Sequence, residues 1–164
     1  SDSVIGTTMS NQGVVEALGK LGISFLRTDV GDKYISRELV KHDLNVGAEP
    51  SGHIIQREFS ESGDANIALI QTLAALQELD TTIEEIKKNI NYKPLSLRNF
   101  SVDNVAVVES QIFIESIEKL QKNYPAARIS VRKSGTEPII RAMVEADSES
   151  DKDSILDEIE SLIS

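Results

Sequence analysis

Along the first ninety or so residues the apolar positions switch between the period of a strand and the period of a helix. Val4 to Thr8 is a short β-branched run and reads as a buried strand. Behind Ser10 or Asn11, either of which can cap a helix, Val14, Val15, Leu18 and Leu21 recur at helical spacing. Gly22 closes that helix, and Ile23 to Leu26 predicts a second strand. The "VGDKY" turn, Val30 to Tyr34, leads into a short helix around Ile35 to Val40. A strand then runs into "VGAEPSGHII", a Gly- and Pro-containing turn flanked by apolar residues. Gly63-Asp64 marks the start of a longer helix, in which Ile67, Ile70, Leu73, Ala74 and Leu76 predict one apolar face. Thr81 with Glu84, and Thr82 with Glu85, both fit a capping box, and Ile83, Ile86 and Ile90 continue the stripe. Alternating strand and helix predicts an α/β domain.

"NYKPLSLRNF" interrupts this rhythm. Lys93-Pro94 disfavours helix at residue 93, and the stretch reads as a linker. Beyond it the pattern predicts a strand at Leu95 to Phe100, a second short run at Val105 to Val108, and a helix from Ser110 to Tyr124. Strands follow at Arg128 to Arg132 and Ile139 to Ala146. A last helix, starting at about Asp151 behind Ser150 or Asp151, buries Ile155, Leu156, Ile159 and Leu162. The acids of "EADSESDKDS" suit the N-terminal turn of that helix, where the helix dipole favours negative charge. This second half mixes its elements in the α+β manner. We therefore expect two modules, residues 1–91 and 92–164.

Composition narrows the function classes. The 164 residues carry a formal net charge of −10, which argues against general nucleic-acid binding. Four Phe, three Tyr and no Trp leave little material for stacking bases. Without cysteine there are no disulfides or thiolate metal sites, and this fits a reducing compartment. No apolar run is long enough to span a bilayer, and no membrane association is expected. Two histidines eleven residues apart form no zinc pattern, and neither a Walker A spacing nor a Gly-x-Gly-x-x-Gly occurs.

Against that acidic background, the segment from Arg128 to Arg141 holds four basic residues and one acid, Glu137. Ser134 and Thr136 add hydroxyls, and Gly135 allows a turn in which backbone N–H groups converge. Guanidinium, hydroxyl and N–H donors together suit a phosphate dianion. A hairpin turn with solvated charges fits the same residues. In "GAEPSGH", Glu49, Ser51 and His53 alternate along a turn whose glycines permit close approach of a ligand, a set suited to a polyol such as a sugar. A hairpin with polar residues facing water fits equally. "GDKY" and "SGDAN" read as helix caps, and His42 as a solvated loop residue.

These loops, in this order, resemble the C-terminal part of the α-D-phosphohexomutase family. The resemblance rests on "GTTMSNQG" (Gly6 to Gly13), "VGDKYI" (Val30 to Ile35), "VGAEPSGHII" (Val46 to Ile55), "SGDAN" (Ser62 to Asn66) and "RKSGTEPIIRAMVE" (Arg132 to Glu145). The Ser-Gly-Thr-Glu-Pro form is similar to the glucosamine branch of the family, with the mannose/glucose branch and a stand-alone phosphosugar-binding module as alternatives. The resemblance implies an N-terminally truncated α/β/α mixed-sheet domain, followed by a small α+β domain with an antiparallel sheet and two helices, TBP-like. It implies a longer cytoplasmic, four-domain isomerase of amino-sugar metabolism that feeds cell-wall precursors. Its phosphoserine and its Mg²⁺-binding D-G-D-x-D-R-type loop would lie in domains absent from this chain, which would be inactive alone.

By the same resemblance, Glu49 and Ser51 would bind sugar hydroxyls of a hexosamine phosphate, with His53 close by. Arg132, Ser134, Gly135, Thr136 and Arg141 would hold the phosphate that is not transferred. Lys33 stands where the family usually has Arg, which loses a bidentate fork. Pro50 replaces a usual Asn or Gln, and Ala65 a usual Gly. The remaining domains of the same polypeptide are the expected partners. An exposed sheet edge left by truncation would favour dimerisation, as a homodimer, or strand exchange.

Overall fold

The computed structural model describes residues 2–135 and 137–163, and the chain divides into two units, Ser1–Tyr92 and Lys93–Ser164. In the first unit the elements run β1 (Ser3–Thr7), α1 (Gln12–Lys20), β2 (Ser24–Thr28), α2 (Asp32–Lys41), β3 (Val46–Ala48), β4 (Ile54–Gln56), α3 (Ala65–Glu78) and α4 (Ile83–Lys88). The sheet order is β2-β1-β3-β4. β1 pairs in parallel with β2 and β3, and β3 pairs antiparallel with β4, so the sheet is mixed. Parallel neighbours need a crossover, and α1 and α2 supply it. Ile5, Ile55, Leu44 and the α2 residues Ile35 and Leu39 form the buried core, with Leu26 packed against it.

Two of the glycines are required by close packing. A Cβ on Gly47 would lie 2.3 Å from Ile35 Cγ2, so α2 sits on β3 only because the strand has no side chain there. A Cβ on Gly13 would lie 2.0 Å from the Asn91 carbonyl oxygen, so the start of α1 abuts the last residues of the unit. Gly19, in the same helix, has nothing within 4 Å of its added Cβ. Opposite effects are therefore expected within one helix. Gly13→Ala should destabilise by about 1–3 kcal/mol through overpacking against backbone. Gly19→Ala should stabilise by about 0.4–1 kcal/mol through helix propensity and a restricted unfolded chain. Urea denaturation of the two variants beside the parent chain measures both.

Helix starts follow local chemistry. Asn11 caps α1 by accepting from the Gly13 N–H, and Asp64 caps α3 by accepting from Asn66 and Ile67. The capping box of α4 is Thr82 with Glu85. Gly31, at φ 131°, precedes α2 without a side-chain cap, and Asp32, the first helical residue, accepts from the Lys33 N–H at 2.7 Å. The apolar stripe of α3 is not buried: none of its residues is, and Ile70 and Leu73 are more than half exposed. Within the unit α3 packs chiefly on β4, too small a surface to cover a stripe four turns long.

The second unit contains β5 (Leu95–Ser101), a 3₁₀ helix (Val105–Glu109), α5 (Gln111–Asn123), β6 (Arg128–Lys133), β7 (Ile139–Glu145) and α6 (Glu149–Ile163). The antiparallel sheet has the order β5-β7-β6, and α5 and α6 pack on one face of it. Ala142, Val144, Leu120, Ile155, Leu156 and Ile159 make the centre of that core. The run Val105 to Val108, expected as a strand, is instead the 3₁₀ helix. Asn104 accepts from the Ala106 N–H and starts a turn before any strand partner is met. The last helix begins earlier than the expected Ser150 or Asp151 cap. Ser148 Oγ accepts from the Asp151 N–H and donates to the Asp151 carboxylate, so Ser148 does the capping.

Candidate functional site

The β3–β4 hairpin brings together all three residues singled out in its turn. Gly52, at φ 97°, takes a left-handed conformation suited to glycine, and its N–H donates to the Glu49 carbonyl at 3.0 Å. The Glu49 N–H donates to the His53 carbonyl at 3.0 Å and closes the loop. The Glu49 side chain is 8% exposed and places Oε1 2.9 Å from His53 Nδ1. Ser51 Oγ lies 3.0 Å from the same nitrogen. His53 is 58% exposed, so an inward carboxylate orients an outward imidazole. Glu49 and Pro50 also border a cavity of about 570 Å³ whose other walls include Val4, Val14, Phe25 and Tyr92.

Lys33 is elsewhere in this unit, on the first turn of α2, with its ammonium 4.8 Å from the centroid of the Tyr34 ring. His42 is exposed at the C-terminus of α2, where Nε2 lies 3.1 Å from Glu38. Lys41 donates to the same carboxylate, and that hydrogen bond is the main reason the Glu38 carboxyl is held below its usual range.

In the second unit the β6–β7 strands present their cationic residues as rungs of one ladder. Arg132 is directly opposite Arg141, and Arg128 is directly opposite Glu145. The rungs are four positions apart along each strand, so both lie on the same face of the sheet. The Arg128–Glu145 rung is an ion pair at 2.5 Å with Glu145 buried. The Arg132–Arg141 rung sets two like-charged residues directly opposite each other, a pairing that destabilises a sheet unless an anion offsets it. Arg141 Nη2 lies 3.0 Å from Glu137, and both side chains are about half exposed. Arg141 Nε is buried and has no hydrogen-bond partner among the described residues.

The Ser134 N–H donates to the Ile139 carbonyl at 2.9 Å, so the hairpin consumes it. Gly135 lies outside the left-handed region, and a Cβ there would meet nothing within 4 Å. Thr136 lies outside the described residues. Lys133 turns to the other face of the strand and pairs with Glu109 at 2.6 Å. Sequence reading missed that partner, because 24 residues separate the two. It also missed Arg27, whose guanidinium donates to the Thr7 and Ser10 carbonyls at 3.1 and 2.6 Å and to Gln12 at 3.0 Å, fixing the β1–α1 turn.

Matches to known protein families extend from residue 1 to residue 162. The family described as "Phosphoglucomutase/phosphomannomutase, alpha/beta/alpha domain III" matches residues 1–92, and "Phosphoglucomutase/phosphomannomutase, C-terminal domain" matches residues 71–162. The chain belongs to the phosphoglucomutase/phosphomannomutase family. Among curated relatives in that family, the phosphoglucosamine mutase of Shewanella halifaxensis is 42% identical over 146 residues, which is 88% of this chain and 33% of that protein. The phosphoglucosamine mutase of Parvibaculum lavamentivorans is 37% identical over 98% of this chain and 36% of its own length. The chain thus spans about a third of these relatives. The crystal structure of Aspergillus fumigatus N-acetylphosphoglucosamine mutase with GlcNAc-6P and magnesium superposes with a TM-score of 0.78. It is 19% identical and covers 98% of this chain and 38% of that one, a likeness of fold.

Proposed function

We propose that this chain is the C-terminal part of a phosphohexomutase that interconverts glucosamine 6-phosphate and glucosamine 1-phosphate through a bisphosphate and an enzyme phosphoserine. Residues 1–91 and 92–164 would be its third and fourth domains. Its own share of the work is binding. The observation that carries the reading is the Arg132–Arg141 rung, two cations facing each other with one buried Nε unpartnered. The same strands accommodate an acid opposite Arg128, so the like-charge rung is a feature of that position and not of the sheet. A phosphate dianion offsets both charges and accepts bidentate hydrogen bonds from either arginine. Glu137 now occupies one arm of Arg141, but an exposed ion pair is worth little and exchanges readily.

The Glu49–Ser51–His53 hairpin supplies the complementary contacts to sugar hydroxyls. Holding the non-reacting phosphate away from the chemistry lets binding energy position the reacting end. The described residues contain no group of three His, Asp or Glu able to hold a metal ion. The donor set therefore does not fit Mg²⁺, and the reading assigns that ion to parts of the parent enzyme outside this chain, as it does the phosphoserine. The curated relatives are named phosphoglucosamine mutases, which supports the glucosamine reading over the mannose/glucose one. Among the described residues, no helix is long and apolar enough to cross a membrane, which is compatible with a cytoplasmic parent.

Isothermal titration of the chain tests the reading. Glucosamine 6-phosphate should bind more tightly than mannose 6-phosphate and inorganic phosphate. Supplied with a hexose 1,6-bisphosphate, the chain alone should show no turnover. Equal affinity for inorganic phosphate and the sugar phosphate would remove the sugar loop from the account. Absence of binding by any of the three would remove the anion site.

A further inference from the structure

The Arg132–Arg141 rung continues onto the third strand of its sheet. Asn99 of β5 is directly opposite Arg141 on one side, as Arg132 of β6 is on the other. Directly opposite residues project from the same face, and Ala142 and Val144 of β7 point into the helix-covered core. Asn99, Arg141 and Arg132 therefore share the face away from α5 and α6. On that face of β5, Leu95 is opposite Glu145, Leu97 opposite Met143 and Ser101 opposite Ile139, so the amide stands at the arginine. Asn99 is exposed, and its side chain makes no hydrogen bond among the described residues.

Arg141 is only partly satisfied on this face. Its Nη2 lies on Glu137, while its Nε is buried without a partner. A buried donor left unpaired costs free energy that an acceptor within reach recovers. Arg132 offers donors only. Ile139 and Met143, the neighbours of Arg141 along its own strand on that face, are apolar. Diagonal positions lie farther off than the one directly opposite. Of the two residues directly opposite Arg141, Asn99 alone carries an acceptor, and the broad χ2 of asparagine lets Oδ1 be aimed at little cost. The rung four positions along shows the alternative, in which Arg128 pairs with the carboxylate of Glu145. A carboxylate at position 99 would hold Arg141 more firmly, but it would offset the charge that attracts an anion. An amide holds the arginine and leaves that charge in place.

We infer that Asn99 is a positioning residue for Arg141: its Oδ1 accepts from Nε–H when an anion draws the guanidinium off Glu137, and so keeps both Nη groups turned to that anion. Asn99 acts through the arginine and needs no contact with the ligand. That the anion is a phosphate ester rests on the function proposed above.

Titration calorimetry with glucosamine 6-phosphate, beside urea denaturation, tests the inference in the parent and Arg141→Lys chains, each with and without Asn99→Ala. Arg141→Lys keeps the charge and removes the Nε–H. In the parent, Asn99→Ala should lower affinity about 3- to 10-fold, the worth of one hydrogen bond, with stability unchanged. In the Arg141→Lys background the same substitution should change affinity by less than about twofold. Asn99→Asp should also weaken binding, while stabilising the free chain. The Arg141 Nε–H signal, assigned in the ¹⁵N-arginine spectrum by its absence from Arg141→Lys, should gain protection from solvent exchange on binding in the parent and not in Asn99→Ala. Parent-like affinity in Asn99→Ala, an equal loss in the Arg141→Lys background, or an Nε–H protected without Asn99 overturns the inference and leaves the anion site standing. A parent chain that does not bind the phosphate ester overturns both.

Discussion

Replacing Arg132 by alanine is expected to weaken phosphate binding by about 10- to 100-fold while leaving the folded chain as stable as before or slightly more so. The two halves of this expectation have different origins. In the free protein Arg132 faces Arg141 across the ladder, and it has no recorded ion-pair partner among the described residues. Removing a like-charge neighbour relieves repulsion, and cross-strand pairs of this kind count for about 0.2–1 kcal/mol. In the complex the same guanidinium donates to a dianion, and a hydrogen bond to a charged group is worth about 1.5–3 kcal/mol, close to the stated range in affinity. A residue kept for structure loses stability when truncated, whereas a residue kept for an anion loses affinity. Titration calorimetry with glucosamine 6-phosphate and urea denaturation of the same variant read the two effects separately. Arg132→Lys should recover only part of the affinity, because an ammonium cannot reproduce the planar fork. Clear destabilisation with unchanged affinity would make the rung a structural feature and remove the observation on which the proposed function stands.

The parts of this molecule that were legible in the sequence are those whose physics is local. Asn11, Asp64 and the Thr82–Glu85 box each satisfy orphan N–H groups within three residues, so the pattern alone locates the helices they start. The Glu49–Ser51–His53 cluster was equally legible, because a short turn with glycine beside the histidine forces alternate side chains together. Long-range partners were not. Lys133 carried the same signal in the sequence as Arg132, yet strand alternation turns it to the opposite face, where it meets Glu109. A β-branched run such as Val105 to Val108 has the composition of a strand. It became a 3₁₀ helix because Asn104 offered a local hydrogen bond where no neighbouring strand did. The α3 stripe shows a further limit. Periodicity records that a face is apolar, and says nothing about whether the surface covering it lies among these residues. The proposed anion site was legible as a charge cluster, but the feature that carries the proposal is a register. Only the pairing of β6 with β7 shows that Arg132 and Arg141 are opposite each other.

Leu156→Ala is expected to produce the largest loss of stability, about 2–5 kcal/mol, and to weaken phosphate binding without touching a ligand contact. Leu156 is fully buried between α6 and the sheet, in contact with the cluster that contains Ala142 and Val144 of β7. Truncation removes the transfer energy of the deleted carbons and leaves a cavity, which together set the range given. A unit of this size has a total stability of only about 4–11 kcal/mol at typical values per residue. The substitution therefore removes a large share of what holds β7 against the helices. Arg141 follows Ile140 and precedes Ala142, both on the core face, so the guanidinium is held in register with Arg132 only while those neighbours remain packed. Amide hydrogen exchange gives the discriminating readout. Protection should fall for Ala142 and Val144, while Ile5 and Ile55 in the core of the first unit retain theirs. Binding of glucosamine 6-phosphate should fall in step with the protection of β7. Retained affinity in a variant that has lost that protection would mean that the arginines do not need the ladder to hold the anion, and the register argument would fall with it.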